Sequence, residues 1–370
     1  MANLRLPGPT PVPDDVVKAM SKPMIDHRGA EFAGILRRVT ENLKKAFETK
    51  NDVFVLTSSG TGAMEAAVVN TLSVGEPVLA VSIGNFGDRF GKIAQTYGAK
   101  VTNLKFPEGE ISDVAKIREA LRKDPSITSV LVTHNETSTG ITNDLEAISK
   151  VVKGEFDKLF LVDAISSLGS IRLAMDAWGI DVAASASQKG WACPPGLAMI
   201  AMSPRAWEAA KKANMPKFYF DLTEAKKSLE KGQTPWTPAV GLLYGLDHAL
   251  RNMLAKGDMR ATYDFHAEIA GYTRDRLRQL GLRLVAKDMK YASNTVTAAY
   301  LPDGVRDSAL LNTLRDEYDI IAAEGRGVLA GKVFRIGHMG YVTKADIDDV
   351  IQALEKALPK LKQGAGAPAR

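Results

Sequence analysis

The sequence predicts an α/β fold: a large domain on a mostly parallel sheet with helices covering both faces, then a smaller C-terminal α+β domain. Three observations carry this. From about residue 50, short β-branched runs alternate with longer amphipathic ones. The spacers have the length of crossover helices, which join parallel strands with a right-handed turn. Beyond Gly257 the pattern shifts to a shorter set of strands and helices, and 370 residues suit one large and one smaller domain.

In chain order, Val53 to Leu56 reads as a strand and Thr61 to Leu72 as a helix. Pro77 to Val81 is a strand, Phe86 to Tyr97 a helix, and Lys100 to Leu104 a strand. Ser112 to Arg122 follows as a helix, Ser129 to Thr133 as a strand and Leu145 to Val152 as a helix. Strands at 158–163, 181–186 and 197–202 complete the series. Pro235 to Met253 is read as one long helix opened by Pro238, with a break at Lys256-Gly257-Asp258. A helix from Met259 to Leu280 then leads to strands at 282–286, 295–300 and 333–336 and helices at 307–316 and 343–357. The resulting division is an arm over 1–20, a large domain over 21–257, a small domain over 258–360 and a flexible tail over 361–370.

Hydrophobic content of 45% and charged content of 25% are those of a soluble globular protein. The net charge of +5 is dispersed, in pairs such as Lys44-Lys45 and Lys211-Lys212, so neither a nucleic-acid stripe nor a membrane patch is expected. A single cysteine, Cys193, excludes an internal disulfide framework and fits a reducing cytoplasm. The N-terminus carries no apolar signal core, and no apolar run has membrane-spanning length. The five histidines show no metal spacing, so no metal site is expected.

The sharpest chemical signal is Ser187-Gln188-Lys189 read with Asp163. Lys189 lies just past a strand in an apolar loop bounded by Pro194-Pro195, where burial lowers an amine's pKa and favours the neutral nucleophile. Asp163 ends a neighbouring strand, and ligands of open α/β sheets bind outside the carboxyl ends of the strands. An amine that forms a Schiff base and a carboxylate that keeps a pyridine nitrogen protonated are what pyridoxal phosphate chemistry requires. Thr57-Ser58-Ser59-Gly60-Thr61-Gly62-Ala63, between a strand and a helix, suits either a phosphate at a helix start or a capped tight turn. It is neither a Walker loop nor a full dinucleotide fingerprint. Phe86 is a ring-stacking residue or a core aromatic, and His134 to Gly140 is a set of polar ligands or a loop of side-chain turns. Arg335, among apolar neighbours, either clamps a carboxylate or forms a structural salt bridge.

Taken in order, Leu6-Pro7-Gly8-Pro9-Thr10-Pro11, Ser59 to Gly62, His134 to Gly140, Asp163 to Gly169, Ser187-Gln188-Lys189 and Phe334 to Gly337 resemble the class V pyridoxal-phosphate aminotransferases. The alanine–glyoxylate and serine–pyruvate (serine–glyoxylate) branch is the nearest likeness. The resemblance implies a fold-type I transferase holding pyridoxal 5′-phosphate. Lys189 would bind the cofactor and move the proton at the substrate Cα, and Asp163 would hold the ring-nitrogen proton. Phe86 and Ile165 would pack on the two ring faces, and Ser138 would bond the phenolic oxygen region. Thr61, Gly62, Ala63 and Gln188 would cradle the phosphate, completed by Thr237 from a second subunit of a homodimer. Arg335 would clamp the substrate carboxylate with Gly8 packed nearby. The implied reaction is ping-pong transfer from alanine or serine to glyoxylate or pyruvate. Two segments differ from the family pattern, Ala322-Ala323-Glu324-Gly325-Arg326-Gly327 and Trp191-Ala192-Cys193. The rival readings are a lyase or desulfurase of the same fold, a non-catalytic subunit that kept the fold and, more remotely, a nicotinamide dehydrogenase.

Overall fold

The computed structural model describes residues 2–255 and 257–364. Residues 365–370 of the expected tail, and Lys256 of the expected break, lie outside them. The large sheet is built from β1 (Asp52–Ser58), β2 (Pro77–Ser82), β3 (Lys100–Lys105), β4 (Ser129–Thr133), β5 (Leu159–Asp163), β6 (Val182–Ala186) and β7 (Gly196–Met202). Their spatial order is β1-β7-β6-β5-β4-β2-β3. Every pairing from β6 to β3 is parallel, whereas β7 runs antiparallel to both β6 and β1. The reason is the connection: residues 187–195 are too few for a crossover, which takes about a dozen residues, so the chain turns back as a hairpin. Lys189 sits in that hairpin.

Alternation along the strands divides the core. Val53, Val55, Phe160, Val162, Leu197 and Met199 face one apolar layer with the helices Ala30–Phe47, Val114–Lys123 and Val240–Met253. Phe54, Leu56, Leu159, Leu161, Ala198 and Ile200 face the other, against Gly60–Thr71 and Leu222–Leu229. A sheet apolar on both faces must be sandwiched, and its polar chemistry is pushed to the strand ends. Thr133 and Asp163 are register partners at the carboxyl ends of β4 and β5.

The smaller unit has an antiparallel sheet of β8 (Val296–Tyr300), β10 (Val333–Gly337) and β9 (Ala323–Glu324), in that spatial order. Arg260–Gln279, Asp307–Tyr318 and Lys344–Gly364 supply its helices around a third apolar cluster. The segment expected as a strand at 282–286 makes only one bridge, Leu284 to Ala299. The helix expected from Pro235 begins instead at Val240, since the residue before Pro238 is pushed toward extended backbone. The last helix continues past 357 to Gly364.

Residues 3–10 stitch the units together. Asn3–Leu4 pairs in parallel with Ile320–Ile321, the Gly337 N–H donates to the Arg5 carbonyl at 2.7 Å, and the Thr10 N–H donates to the Gln188 carbonyl at 3.2 Å. Asp14–Met20 then forms a helix against Val240–Met253. No helix among the described residues is long and apolar enough to cross a membrane.

Candidate active site

One cavity opens at the carboxyl ends of the parallel strands. Thr61, Phe86, Asp163, Ile165, Gln188 and Lys189 all line it, although they come from four separate stretches of chain. Ser59, Gly60, Met64, Arg89, Asn135, Thr137 and Ser166 complete its wall.

Asp163 is buried at the end of β5. The Ile165 N–H donates to its Oδ1 at 2.9 Å and the Thr133 hydroxyl to its Oδ2 at 3.2 Å. Burial pushes its carboxyl up to about 6 against those two hydrogen bonds, with nearby Glu136 adding to the rise. Burial also brings the Lys189 amine down to about 8; Asp163 opposes this, and Arg335, Arg326 and Arg89 reinforce it. Lys189 is covered by the N-terminal arm, donating from Nζ to the Pro7 carbonyl. A Cβ on Gly8 would lie 2.5 Å from that Nζ, and Gly8 holds φ +113°, so the close approach needs glycine twice over. The wall behind is fixed by Trp191, which is fully buried, stacks on Phe47 at 6.4 Å and donates to the Ser185 hydroxyl at 2.8 Å.

The helix Gly60–Thr71 points its first turn at the cavity. The Gly62 and Ala63 N–H groups bond back to the Ser59 carbonyl, while those of Gly60 and Thr61 make no hydrogen bond among the described residues. Gly62 and Ala63 stand behind the cavity wall, where a Cβ on Gly62 would sit 2.0 Å from the Ser58 hydroxyl. Gln188 lines the same cavity, and its buried amide oxygen has no hydrogen-bond partner among the described residues.

Ser138 is not in the cavity wall. Its hydroxyl donates to Glu136 Oε1 at 2.6 Å and accepts from the Asn85 N–H at 3.1 Å, and this loop lines the cavity with Asn135, whose amide is bonded to Ser166, Thr295 and Thr142, and with Thr137. Glu136 was not singled out from the sequence. It is fully buried, and its Oε2 accepts from the Phe86 and Gly87 N–H groups at 2.8 and 3.1 Å, clamping the start of the helix Asn85–Thr96. The only visible signal was a lone acid among small hydroxyl residues after an apolar strand.

Arg335, buried on β10, donates to the Glu324 carbonyl at 2.8 Å and the Thr137 carbonyl at 3.0 Å. No carboxylate among the described residues pairs with it, and burial brings its guanidinium down to about 10. A buried cation without an anion is positioned for one that arrives from outside. Thr237 is exposed and lies outside this cavity wall, next to Ala239, whose N–H donates to Thr57 at 3.2 Å.

The model of the aminotransferase class-V family matches residues 3–350. A protein named soluble hydrogenase, small subunit, from Synechococcus is 42% identical over 97% of this chain and 94% of its own length. A serine–glyoxylate aminotransferase from Hyphomicrobium methylovorum is 38% identical over 99% of this chain and 93% of its own. The crystal structure of an alanine–glyoxylate aminotransferase from Nostoc superposes with a TM-score of 0.92 at 33% identity, covering 96% of this chain and 95% of that one.

Proposed function

The chain belongs to the class V aminotransferases, and from that premise we propose that it passes the amino group of a small L-amino acid, alanine or serine, to glyoxylate or pyruvate by a ping-pong mechanism. The observation that carries this reading is the convergence of Lys189, Asp163 and the open start of Gly60–Thr71 on one cavity, with unpaired Arg335 behind Thr137. The donor set fits pyridoxal 5′-phosphate: an amine for the aldehyde, a carboxylate for the ring nitrogen, and the free Gly60 and Thr61 N–H groups for the phosphate.

Bound pyridoxal phosphate supplies an aldehyde that condenses with amines and a protonated ring that withdraws electrons from the Cα–H bond. Asp163 holds the ring-nitrogen proton, because a cation beside its buried carboxylate offsets the burial. Lys189 Nζ moves the proton at the substrate Cα, and an amine near pKa 8 both takes and returns protons close to neutrality. Arg335 binds the α-carboxylate and so orients that Cα–H bond. Thr61 and Gln188 hold the phosphate, Ile165 packs on the ring, and the arm at Gly8 excludes water from Lys189. The phenolic oxygen falls to Thr137, which lines the cavity, in place of Ser138, since Asn135 already donates to Ser166 and Thr295.

A homodimer completes this proposal. Phe218, 76% exposed, stacks on Trp236 at 4.9 Å, so an aromatic surface adjoins Thr237. Burying that surface against a second copy brings Thr237 of the partner subunit to the phosphate.

The name of the Synechococcus relative favours a second reading, a hydrogenase subunit. The described residues contain no group of three or more His, Cys, Asp or Glu side chains able to hold a metal ion, so such a role would rest on metal centres elsewhere in an assembly. A desulfurase role is disfavoured by Cys193, buried with its thiol pushed up to about 12 by that burial. The test is a visible absorption spectrum of the purified protein with added pyridoxal phosphate. A cofactor band that bleaches with L-alanine or L-serine and returns with glyoxylate supports the transfer. Failure to bind the cofactor refutes it.

A further inference from the structure

Arg89 has no role in the reading above. It lies three positions after Phe86 on the helix Asn85–Thr96, so both side chains leave the same face. Its guanidinium covers one face of the Phe86 ring at 4.8 Å from the centroid, and Nη1 reaches the Thr61 hydroxyl at 3.5 Å. Arg89, Phe86 and Thr61 all line the cavity shared by Gln188, Asp163 and Lys189. No carboxylate among the described residues pairs with Arg89; the adjacent acid, Asp88, is taken by Lys105 at 2.9 Å. A guanidinium thus stands beside the positive end of a helix, two like potentials brought together without an internal anion.

Arg89 is thus in the cavity wall, whereas Arg335 stands behind that wall, bonded to the Thr137 carbonyl. Arg335 lies with Thr137 and Glu324 on the side of the smaller unit, and Arg89 lies with Thr61 at the helix start on the side of the large sheet. The geometry points to Arg89 as the side chain that neutralises the cofactor phosphate, leaving Arg335 for the substrate carboxylate. This assignment rests on the cofactor reading above and adds the source of its phosphate charge. Thr61 and the free Gly60 and Thr61 N–H groups supply directed hydrogen bonds, while Arg89 supplies the full positive charge that a dianion needs. The Phe86 ring face holds the planar guanidinium in place.

The test compares two probes that differ only in the phosphate. Cofactor-free protein is titrated with pyridoxal phosphate and with pyridoxal, and binding is read by tryptophan fluorescence and the aldehyde absorption, independent of turnover. Arg89→Met keeps the packing on Phe86 and removes the charge. It should weaken pyridoxal phosphate binding by about 10- to 100-fold, the range for a hydrogen bond to a charged group, while pyridoxal binding stays within about twofold. Inorganic phosphate should compete with pyridoxal phosphate on the wild type and lose most of that effect on the variant. Arg89→Lys, which restores the charge without the fork, should fall between the two. Equal losses for both probes in both variants would reduce Arg89 to a packing residue, and an unchanged affinity for pyridoxal phosphate would overturn the assignment outright. A wild type that binds neither probe overturns the cofactor reading itself, and this inference with it.

Discussion

Replacing Asp163 by asparagine should make the cofactor-free protein more stable at neutral pH, although it removes a group central to the proposed chemistry. Burial raises this carboxyl from 3.8 to about 6, so between those values the folded chain binds the proton more tightly than the unfolded chain does. Stability then falls as the pH rises through that window and stays lowered above it. A shift of this size corresponds to about 3 kcal/mol at pH 7.5, with about half of it already present at pH 5. Asparagine cannot ionise, and it keeps the local bonds: its oxygen accepts from the Ile165 N–H and its NH₂ donates to the Thr133 hydroxyl. That stability figure is already net of the attraction to Lys189. Urea unfolding of both cofactor-free proteins at pH 5, 6 and 7.5 measures it, and the difference in favour of the variant should widen with pH. Added pyridoxal phosphate should stabilise the wild type more than the variant. Identical midpoints at pH 7.5, or a variant less stable there, would refute the claim that Asp163 carries an uncompensated charge before a cation reaches it.

Three further outcomes follow from the same geometry. Because burial lowers the Lys189 amine to about 8, the rate of pyridoxal phosphate uptake should climb about tenfold per pH unit below 8 and level off above it, as read by stopped-flow absorbance. Gly8→Ala should cut kcat by at least about tenfold, since the new Cβ displaces the Lys189 Nζ it would meet at 2.5 Å; an unchanged kcat in a correctly folded variant refutes the role given to the arm. Arg335→Lys should raise KM for the amino acid by about 10- to 100-fold by losing the two-pronged grip, with near-native circular dichroism; unchanged KM would assign Arg335 to scaffolding alone.

Most of the large sheet could be read from the sequence because strands buried on both faces are nearly continuous apolar runs. Val130-Leu131-Val132 and Phe160-Leu161-Val162 left little choice. Direction was harder, since nothing in Gly196 to Met202 itself marks an antiparallel strand; only the brevity of residues 187–195 does. Lys189, Asp163 and Arg335 stood out because charged residues in apolar contexts are costly. Glu136 and Arg89 escaped notice for the opposite reason: acids and arginines are ordinary at loops and helix starts, and their roles appear only once β4 and the helix Asn85–Thr96 are brought side by side. Ser138 and Thr137 are adjacent hydroxyls, and the sequence alone does not say which faces inward; the Glu136 clamp on Ser138 decides it.

The stitching of residues 3–10 bears on how the chain is made. Asn3 donates to the Asp346 carbonyl across 343 positions, and Thr10 to the Lys189 carbonyl across 179. Residues 3–5 are therefore synthesised long before their partners on β10 and the helix Lys344–Gly364, and settle only once those partners exist. The arm that covers Lys189 is thus anchored at its start by the smaller unit, so the fit of the two units bears directly on how the pocket is covered.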